Sequence, residues 1–511
     1  MPVGEPEAPR RLGILGAMSS FLAALLVFGT SAAVLVLEIL AGRVLAPYVG
    51  VTLETYTGII GTVLAGIALG TWVGGRLADE RDPRALLGPT VLLGGVLSLM
   101  ALPTIRLVGP SVQGGGPMAI LILSLVGFFA PATVLSAVTP TVVKLQLSSL
   151  DETGSTVGRL SALGTAGAIL GTFVTGFVLV AAFPTAPIVL AVGATLVLAG
   201  LALTVLLRPA RDDRTRSSTK PMLAVGLVAA GLTLALPSPC QVESAYFCAR
   251  VIPDEERDGG RLLVLDTLRH SYVDLDDPTH LEFTYAQSLS DVLSTLGTPG
   301  EPLDALHIGG GGFTLPRYLS ATRPGTSNVV LELDPVLVEL ARDELGLVTG
   351  KDLQVIEGDA RLALQDQPTG AYDVVIGDAF GGLAVPWHLT TREFVQDIKR
   401  TMRPGGVYTL NLIDYPPLAF ARAEVATLQA VFQHVAVVAP PQRIAGEEGG
   451  NLVLAASDAP LDVAAVQARN EQRGDDDDVV AGDALDRFVG DATVLTDAYA
   501  PVDQLLTPYG G

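Results

Sequence analysis

Hydrophobic residues are distributed very unevenly along the chain. From Ser19 to Leu236 the sequence is rich in Leu, Ala, Val and Gly and is nearly free of charge. A helix needs about 20 apolar residues to cross the hydrocarbon core of a bilayer. The apolar runs are Ser19–Leu40, Thr57–Leu77, Leu86–Val108, Met118–Val138, Leu160–Phe183, Ala186–Leu207 and Met222–Leu236. The last run has only 15 residues, so the pattern predicts six or seven membrane-spanning helices.

The first apolar run is too long, and too closely followed by others, to be a cleaved signal peptide. We therefore predict a cytoplasmic tail over residues 1–18 and an all-α, polytopic membrane domain over residues 19–237. This organisation indicates a multi-pass protein of the cell membrane, with the lipid bilayer as a partner. Within the first run, Glu38 is a carboxyl group, which is a functional candidate inside a membrane. Local pairing with Arg43 is an equally good explanation of it.

Loop charges give an orientation for the helices. Basic residues gather before the first run and in alternate loops: Arg10, Arg11, Arg76, Arg81, Arg84, Lys144, Arg159, Arg208, Arg211, Arg214, Arg216 and Lys220. The positive-inside rule then places the N-terminus in the cytoplasm. If the seventh run also crosses, the rest of the chain is outside, where a disulfide between Cys240 and Cys248 would be stable. The seventh run is marginal in length, however, so the sequence leaves the side of the membrane open.

After Pro237 the pattern changes to that of an acidic α/β protein. Strand-like alternation at Glu243–Val251 and Leu262–Leu275 predicts a small antiparallel β unit. Strands and helices then alternate, which predicts a doubly wound, Rossmann-like parallel sheet. Two late strands, His434–Val438 and Leu452–Ala456, are expected to form a hairpin at its edge. The predicted divisions are a β unit with a first helix at 238–300, a nucleotide-binding domain at 301–460 and an acidic segment at 461–511.

The net charge of −21 lies mostly in this second half and makes nucleic acid an unlikely partner, because phosphate is repelled. A negative surface could gather cationic substrates, although a solubilising surface is the commoner reason for it. The five histidines and two cysteines match no metal-ligand spacing, so no metal site is predicted.

Candidate chemistry lies at the predicted strand ends, where open α/β sheets bind ligands. The first strand runs into four glycines, Gly309–Gly312, which allow the backbone to turn and approach a ligand closely. Four acidic residues follow later strands: Glu332, Asp334, Asp359 and Asp378. Glu332 can accept ribose hydroxyl protons, Asp359 an adenine amino group, and Asp378 a proton from an attacking amine. Each aspartate taken alone is more often a helix cap or turn residue.

These motifs resemble the spermidine synthases, the polyamine aminopropyltransferases, in the class with an N-terminal membrane region. The resemblance covers Glu243 to Ser457. Its segments are ESAYFCARV, LLVLDTLRHSYVDLDD, the glycine loop, LELD, GDAR, VVIGDAF and AVPWHLTTREFVQDIKRTMRPGGVYTLNL. The resemblance implies a class I methyltransferase-like fold for the nucleotide-binding domain.

The resemblance also implies an activity: aminopropyl transfer from decarboxylated S-adenosylmethionine to an amine such as putrescine, giving spermidine and methylthioadenosine. The donor would be a co-substrate, and no tightly bound cofactor is expected. Asp378 would accept the proton. The implied cofactor-binding residues are Gly309, Gly310, Gly311, Glu332, Asp334, Asp359, Ala360, Pro386 and Phe247, where Phe247 aligns with an expected glutamine.

The sequence departs from the family on the amine side of the site. The aspartate that closes the family's glycine loop is absent from Gly309–Phe313, and a second aspartate is missing at Phe380–Gly382. The family's tyrosine-histidine-glutamate is matched only loosely, by His280, Leu281 and Glu282, so His280 and Glu282 are the candidate substrate residues. Because a dicationic amine in a cleft needs compensating charge, the identity of the acceptor stays open.

Two alternatives to aminopropyl transfer remain. One is an S-adenosylmethionine-dependent methyltransferase, and the other is a membrane transport or sensor protein that binds an adenosyl ligand without turnover. In each case the partners are small adenosyl and amine molecules, and a homodimer is left open. His388, in PWHL, is the one histidine expected near the site.

Overall fold

A computed structural model of the chain describes residues 18–114, 116–147, 152–207, 214–381 and 385–506. Two compact units are present, Met1–Cys248 and Ala249–Gly511. Most of the predicted N-terminal tail, as well as Arg208, Arg211 and Gly382, lies outside the described residues.

The N-terminal unit is a bundle of helices. Among the described residues, six helices are long and apolar enough to cross a membrane: α1 (Ser20–Val49), α2 (Leu53–Glu80), α3 (Pro83–Val112), α4 (Gly116–Gln146), α5 (Thr153–Ala182) and α6 (Thr185–Leu206). A further helix, α7 (Arg214–Ala235), has a shorter apolar part, Lys220–Ala235. The prediction of six spans and a marginal seventh is therefore confirmed. Short π-helical turns interrupt α4 at Leu125–Phe129 and α5 at Thr175–Leu179.

Glycines bring these helices into close contact. A Cβ atom on Gly70 of α2 would lie 1.9 Å from the carbonyl oxygen of Thr133 on α4. A Cβ on Gly167 of α5 would lie 2.2 Å from the carbonyl oxygen of Phe28 on α1. Because no side chain fits at such distances, glycine at these positions allows the backbones to approach, as is common between helices in membranes.

Helix α7 runs alongside α3 in the same direction. A Cβ on Gly226 would contact the Val96 side chain, and further along both helices Arg106 donates to the carbonyl oxygens of Thr233 and Leu236 at 2.6 and 3.1 Å. The apolar part of α7 therefore follows α3 towards the end of the bundle where α3 itself ends. This is a tertiary feature that the length of the seventh run alone did not predict.

Arg43 lies at the end of α1 and holds the segment that follows α7. Its guanidinium donates to the backbone oxygens of Ser244 and Ala245, and to the hydroxyl of Thr185 at 3.3 Å. A disulfide, Cys240–Cys248, closes the same segment. The suggested pairing of Arg43 with Glu38 is therefore wrong: no ion pair or hydrogen bond of the Glu38 carboxyl occurs within the described ranges. The arginine instead satisfies carbonyl groups that the turn leaves without backbone partners.

A small antiparallel β unit precedes the main sheet. After the short strand β1 (Val242–Glu243), strands β2 (Cys248–Pro253), β3 (Gly260–Leu265) and β4 (Leu268–Asp274) follow one another as hairpins. The second hairpin turns tightly at Asp266, whose φ is +54°. This confirms the β unit predicted from the alternating pattern.

The main sheet has eight strands with helices between them. Its strands are β5 (Asp304–Ile308), β6 (Ser327–Glu332), β7 (Leu353–Glu357), β8 (Tyr372–Gly377), β9 (Met402–Asp414), β10 (His434–Ala439), β11 (Gly450–Ser457) and β12 (Asp478–Ala481). Its helices are α8 (Thr284–Ser294), α9 (Thr314–Thr322), α10 (Pro335–Glu344), α11 (Ala360–Gln365), α12 (Arg392–Thr401), α13 (Ala419–Gln429), α14 (Pro441–Ile444), α15 (Val463–Arg473), α16 (Asp483–Val489) and α17 (Val502–Leu505).

The strand order is β12-β10-β11-β9-β8-β5-β6-β7. Strands β5 to β9 are parallel, whereas β10, β11 and β12 are antiparallel additions. The predicted doubly wound parallel sheet is therefore confirmed. The late hairpin of β10 and β11 also forms, but it does not lie at the edge as predicted, because β12 pairs with β10 and is the edge strand. From β5 the chain adds strands first on one side and then on the other, so the carboxyl ends of β5 and β8 flank the topological switch point, where such sheets bind ligands.

Candidate active site

A glycine turn follows β5 at this switch point. Gly309 has a φ of +93°, and a Cβ there would lie 2.6 Å from the carbonyl oxygen of Asp378. Gly311 has a φ of +51°, and a Cβ on it would lie 2.8 Å from the imidazole of His270. Both positions need glycine, because of the left-handed backbone and because of the close neighbours. The turn thus lies between the ends of β5 and β8, with Gly309 and Gly310 half-buried and Gly311 buried.

Glu332, the last residue of β6, is bonded to this turn. One carboxylate oxygen accepts from the backbone N–H groups of Gly310 at 2.8 Å and Gly311 at 3.2 Å. The other accepts from the N–H of Asp334 at 2.9 Å. Burial raises the pKa of Glu332, while these N–H groups favour the ionised form. A carboxylate has about four acceptor sites, so Glu332 can hold the turn and still accept a ligand hydroxyl.

The two other strand-end aspartates are helix caps. Asp334 accepts from the N–H of Val336 at 3.0 Å and is only 2% exposed. Asp359 accepts from the N–H of Arg361 at 2.8 Å, and its other oxygen lies 3.3 Å from Nε2 of His388. The Asp359 side chain is about one-third exposed, so it remains accessible to a ligand in a way that Asp334 does not.

Asp378 follows β8 and is held by two donors. Its Oδ1 accepts from the amide Nδ2 of Asn411 at 3.0 Å, and its carboxylate also accepts from the hydroxyl of Tyr285. Burial raises the pKa of Asp378 to about 6, although both hydrogen bonds act in the opposite direction. Burial likewise raises the pKa of Tyr285, and the nearby Asp378 charge adds to the effect. A carboxyl group with a pKa close to neutral is suited to general base catalysis.

The predicted substrate residues, His280 and Glu282, do not bond to Asp378. His280 and Glu282 bond to each other at 3.2 Å, in the loop before α8, while Tyr285 in the first turn of that helix is the residue that reaches Asp378. Pro386 is half-buried and directly precedes the 3₁₀ turn Trp387–Leu389.

Phe247 belongs to the N-terminal unit, where its backbone bonds with that of Ser244 at 3.0 Å. Ala360 is buried at the start of α11, next to Asp359. The expected acids are missing at Gly312, which is buried, and at Gly381. Their neighbours are apolar: Phe313 is fully buried in left-handed conformation beneath Gly310, and Phe380 packs against a hydrophobic core.

Sequence analysis missed three residues that border the glycine turn and Asp378. His270 and Ser271 come from β4: the Ser271 hydroxyl accepts from the N–H of Gly312 at 3.1 Å and lies 2.9 Å from Nδ1 of His270. Burial lowers the pKa of His270 to about 4. Asn411 could have been identified from the sequence, because it is a polar residue inside the apolar strand VYTLNLI. No cluster of three or more metal-ligating side chains occurs in the described part of the chain.

The chain was compared with protein-family models, with curated proteins and with solved structures. No protein-family model matches the chain. The polyamine aminopropyltransferase of Chromobacterium violaceum is 30% identical over 142 residues, which cover 28% of this chain and 53% of the relative. Polyamine aminopropyltransferase 2 of Streptomyces coelicolor is 27% identical over 457 residues, covering 83% of this chain and 80% of the relative. The crystal structure of a probable spermidine synthase from Corynebacterium glutamicum matches with a TM-score of 0.47 and 27% identity, covering 50% of this chain and 95% of that one.

The chain spans about half the length of the first of these relatives, 53%. The alignment with the Streptomyces coelicolor protein reaches into both units, because it covers 83% of the chain and each unit is about half of it. By sequence the chain is therefore similar to polyamine aminopropyltransferases, and its N-terminal unit contains long apolar helices.

Proposed function

We propose that the chain transfers an aminopropyl group from decarboxylated S-adenosylmethionine to an amine and releases methylthioadenosine. The observation that carries the proposal is Asp378, a carboxyl group with a pKa of about 6 at the switch point of the sheet, beside a glycine turn held by Glu332. An α/β sheet binds nucleosides at this place, and a base is what an amine nucleophile requires there.

The proposed reaction is an in-line displacement. The amine nitrogen attacks the propyl carbon next to the sulfonium, a C–N bond forms, and the C–S bond breaks with its electron pair going to sulfur. The amine then carries one proton too many, and Asp378 accepts it. Holding the two substrates in line supplies much of the rate, because it replaces a collision between separate molecules.

In this proposal the donor is bound at the strand ends. Glu332 accepts the ribose hydroxyls, Asp359 and Ala360 flank the adenine, and Pro386 borders the same pocket. The backbone of Gly309–Gly311 approaches the donor closely. The capping bonds of Asp359 do not conflict with this role, since its side chain is still one-third exposed.

The acceptor is proposed to be an amine that does not rely on carboxylates at the glycine turn or after β8. Gly312 and Gly381 stand where the family has its acids, and glycine has no side chain that could supply a charge for a second ammonium group. Putrescine is therefore expected to need a higher concentration than an acceptor with a single ammonium group.

We further propose that the protein is a multi-pass protein of the cell membrane with its C-terminal unit on the non-cytoplasmic side. Helix α7 follows α3 in direction, and the chain leaves the bundle beside Arg43 and Arg106, at the end away from the basic loops. The disulfide Cys240–Cys248 fits an oxidising compartment. Reporter fusions at Gly511 that are active on one side of the membrane only would test this; cytoplasmic activity of the fusion contradicts it.

Product analysis tests the proposed reaction. The full chain, purified in detergent, is incubated with decarboxylated or ordinary S-adenosylmethionine and a panel of amines, and the products are identified by mass spectrometry. We expect methylthioadenosine and an amine heavier by one aminopropyl group, and a rate at least about 100-fold lower in Asp378→Asn. Formation of a methylated amine and S-adenosylhomocysteine would instead establish the methyltransferase alternative. Binding of methylthioadenosine without any turnover would favour the sensor alternative.

A further inference from the structure

Three polar side chains form a row across adjacent strands at the centre of the sheet. Asp378 follows β8, Asn411 lies on β9 and Asn451 lies on β11. Gly377 pairs with Leu410 in the parallel ladder, so the next residues, Asp378 and Asn411, come side by side. In the antiparallel ladder Asn411 pairs with Val453, so Asn451 is its diagonal neighbour, within reach on the same face.

Hydrogen bonds join the three side chains, and each bond is donated towards Asp378. Nδ2 of Asn451 donates to Oδ1 of Asn411 at 2.9 Å, and Nδ2 of Asn411 donates to Oδ1 of Asp378 at 3.0 Å. An amide has a donor end and an acceptor end, and the orientation is assigned from such a network. If the Asn411 amide were reversed, its oxygen would face the Asp378 carboxylate and its NH₂ group would face that of Asn451. While Asp378 is ionised, the row therefore favours one orientation of the Asn411 amide.

We propose that Asn411 is a positioning residue for Asp378 and that Asn451 acts through it, by fixing the orientation of the Asn411 amide. The proposal rests on the proposed function, in which Asp378 is the base. Asn411 is 3% exposed and cannot exchange its bond for one with bulk water. Its N–H occupies Oδ1 of Asp378 and so restricts the directions from which the carboxylate can receive the proton of the amine.

The surroundings support a function for the row beyond packing. Tyr285, from α8, is a titratable side chain that also bonds to Asp378. Arg443, from α14, donates to the backbone oxygen of Asn451 and holds the start of β11. The buried groups Tyr408 and Glu424 lie in the core on the opposite face of β9, because Tyr408 and Asn411 are an odd number of residues apart on that strand. The row is thus separate from that core.

A set of variants of the full chain tests the proposal: Asn411→Leu, Asn451→Leu and the double variant. Leucine keeps the approximate volume and removes the amide. Without the N–H of Asn411 the ionised form of Asp378 is less favoured, so we expect the acidic limb of the kcat–pH profile to move up by about one unit. Asn451→Leu is expected to move it by about half as much, because the Asn411 amide then samples both orientations.

The double variant separates an action through Asn411 from an independent one. Its profile should coincide with that of Asn411→Leu, because Asn451 has no other route to Asp378. Additive shifts, or an unmoved acidic limb in Asn411→Leu, would overturn the proposal. Thr409→Val is the structural control: Thr409 is buried on the same face of β9 and donates to the Leu454 carbonyl at 2.9 Å. It should lower stability while leaving the pH profile in place.

A second measurement does not require activity. The difference in thermal stability between the parent and its Asp378→Asn derivative, followed from pH 4 to 8, reports the titration of Asp378 in the folded chain. Its midpoint should lie higher in the Asn411→Leu background. If aminopropyl transfer is absent but this midpoint moves, the proposed function fails and the hydrogen-bonded row stands. If transfer occurs and the midpoint does not move, the row has no effect on Asp378.

Discussion

Glycines and buried polar side chains have different roles in the two units. In the N-terminal unit, Gly70 and Gly167 bring helix backbones together, and buried hydroxyls such as that of Ser98 donate to a carbonyl one turn earlier in their own helix. In the C-terminal unit, Gly309 adopts a left-handed conformation at a strand end. Buried polar groups there bond across the fold, as Glu332 does to Gly310, 22 residues away.

The difference follows from the surroundings in which each unit must satisfy its polar groups. An apolar helix bundle can satisfy its polar groups only within or between its own segments, as Ser98 does within a helix and Arg106 does between helices, so these bonds contribute to stability. An open α/β sheet gathers the ends of distant strands at one edge, so its polar groups can converge on a ligand. Substitutions in the first unit should therefore change stability, and substitutions in the second should change chemistry.

The largest effect is expected from Gly70→Val. A Cβ there would lie 1.9 Å from a backbone oxygen, so α2 and α4 would have to separate. We expect a loss of about 3 kcal/mol or more in the free energy of unfolding, measured by denaturant titration in detergent. Methylthioadenosine affinity of the protein that remains folded should be unchanged. A loss of methylthioadenosine affinity in the folded variant would contradict this comparison, because it would show that Gly70 affects ligand binding as well as helix packing.

Gly309→Val is the matched substitution in the C-terminal unit. The new side chain meets the Asp378 carbonyl and is strained by the φ of +93°. We expect at least about a 100-fold loss of methylthioadenosine affinity by calorimetry, because the turn can no longer approach the ligand. An affinity equal to that of the parent chain would exclude this turn from the binding site.

The disulfide lies at the end of the N-terminal unit and spans a sequence separation of 8. Replacing both Cys240 and Cys248 with Ser removes a constraint on the unfolded chain and should cost roughly 2–3 kcal/mol. The comparison is made by thermal unfolding with and without a thiol reductant. The parent chain should be destabilised by the reductant and the double variant should not respond, while equal behaviour of the two would show that the bond is not formed.

Glu332→Gln tests the ribose role directly. The amide keeps the shape of the side chain but accepts fewer hydrogen bonds, so we expect methylthioadenosine to bind about 10- to 30-fold more weakly. Calorimetry on both proteins measures the change, and Glu301→Gln, on an exposed loop, serves as the control. Equal affinity in Glu332→Gln and the parent chain rules out the ribose role.

Tyr285→Phe should have the smallest effect, and it depends on pH. Asp378 must be ionised to act as a base, so activity should fall as pH decreases through its pKa of about 6. Folding raises this pKa from 3.8, so the group costs stability at high pH and this cost disappears as pH falls below about 4. Loss of the Tyr285 hydroxyl should move the acidic limb of kcat up by about one unit. Similar rates for the two proteins at every pH from 5 to 8 would count against this role.

Much of the fold could be predicted from the sequence because its periodicities are strong. The apolar runs gave the six long helices, and the alternation of strands and helices gave the parallel sheet. The predicted acidic segment contains four consecutive aspartates, Asp475 to Asp478, which a charge pattern would place in solvent. Asp477 is nevertheless buried and accepts from Ser288 at 2.8 Å, and Asp478 begins β12. Charge alone did not indicate which of these side chains would find a buried partner.

The site was predicted in part. The glycine turn, Glu332 and Asp378 come together because the ends of parallel strands must meet at one edge. His280 and Glu282 were chosen as a loose match to the family's tyrosine-histidine-glutamate, whereas the fold brings Tyr285 to Asp378. No role was predicted for His270, yet β4 carries it to the glycine turn. These contacts join residues from separate elements, and no local pattern in the sequence encodes them.

The sequence by itself determined which segments are apolar, where the strands end and which acids stand at those ends, because these properties follow from the order of side chains along the backbone. The tertiary structure alone decided that Arg43 binds carbonyl groups instead of Glu38, that α7 runs with α3, and that two asparagines line up with Asp378. The reason is that strand register and helix packing fix which distant groups become neighbours, and burial then makes each of them find a partner.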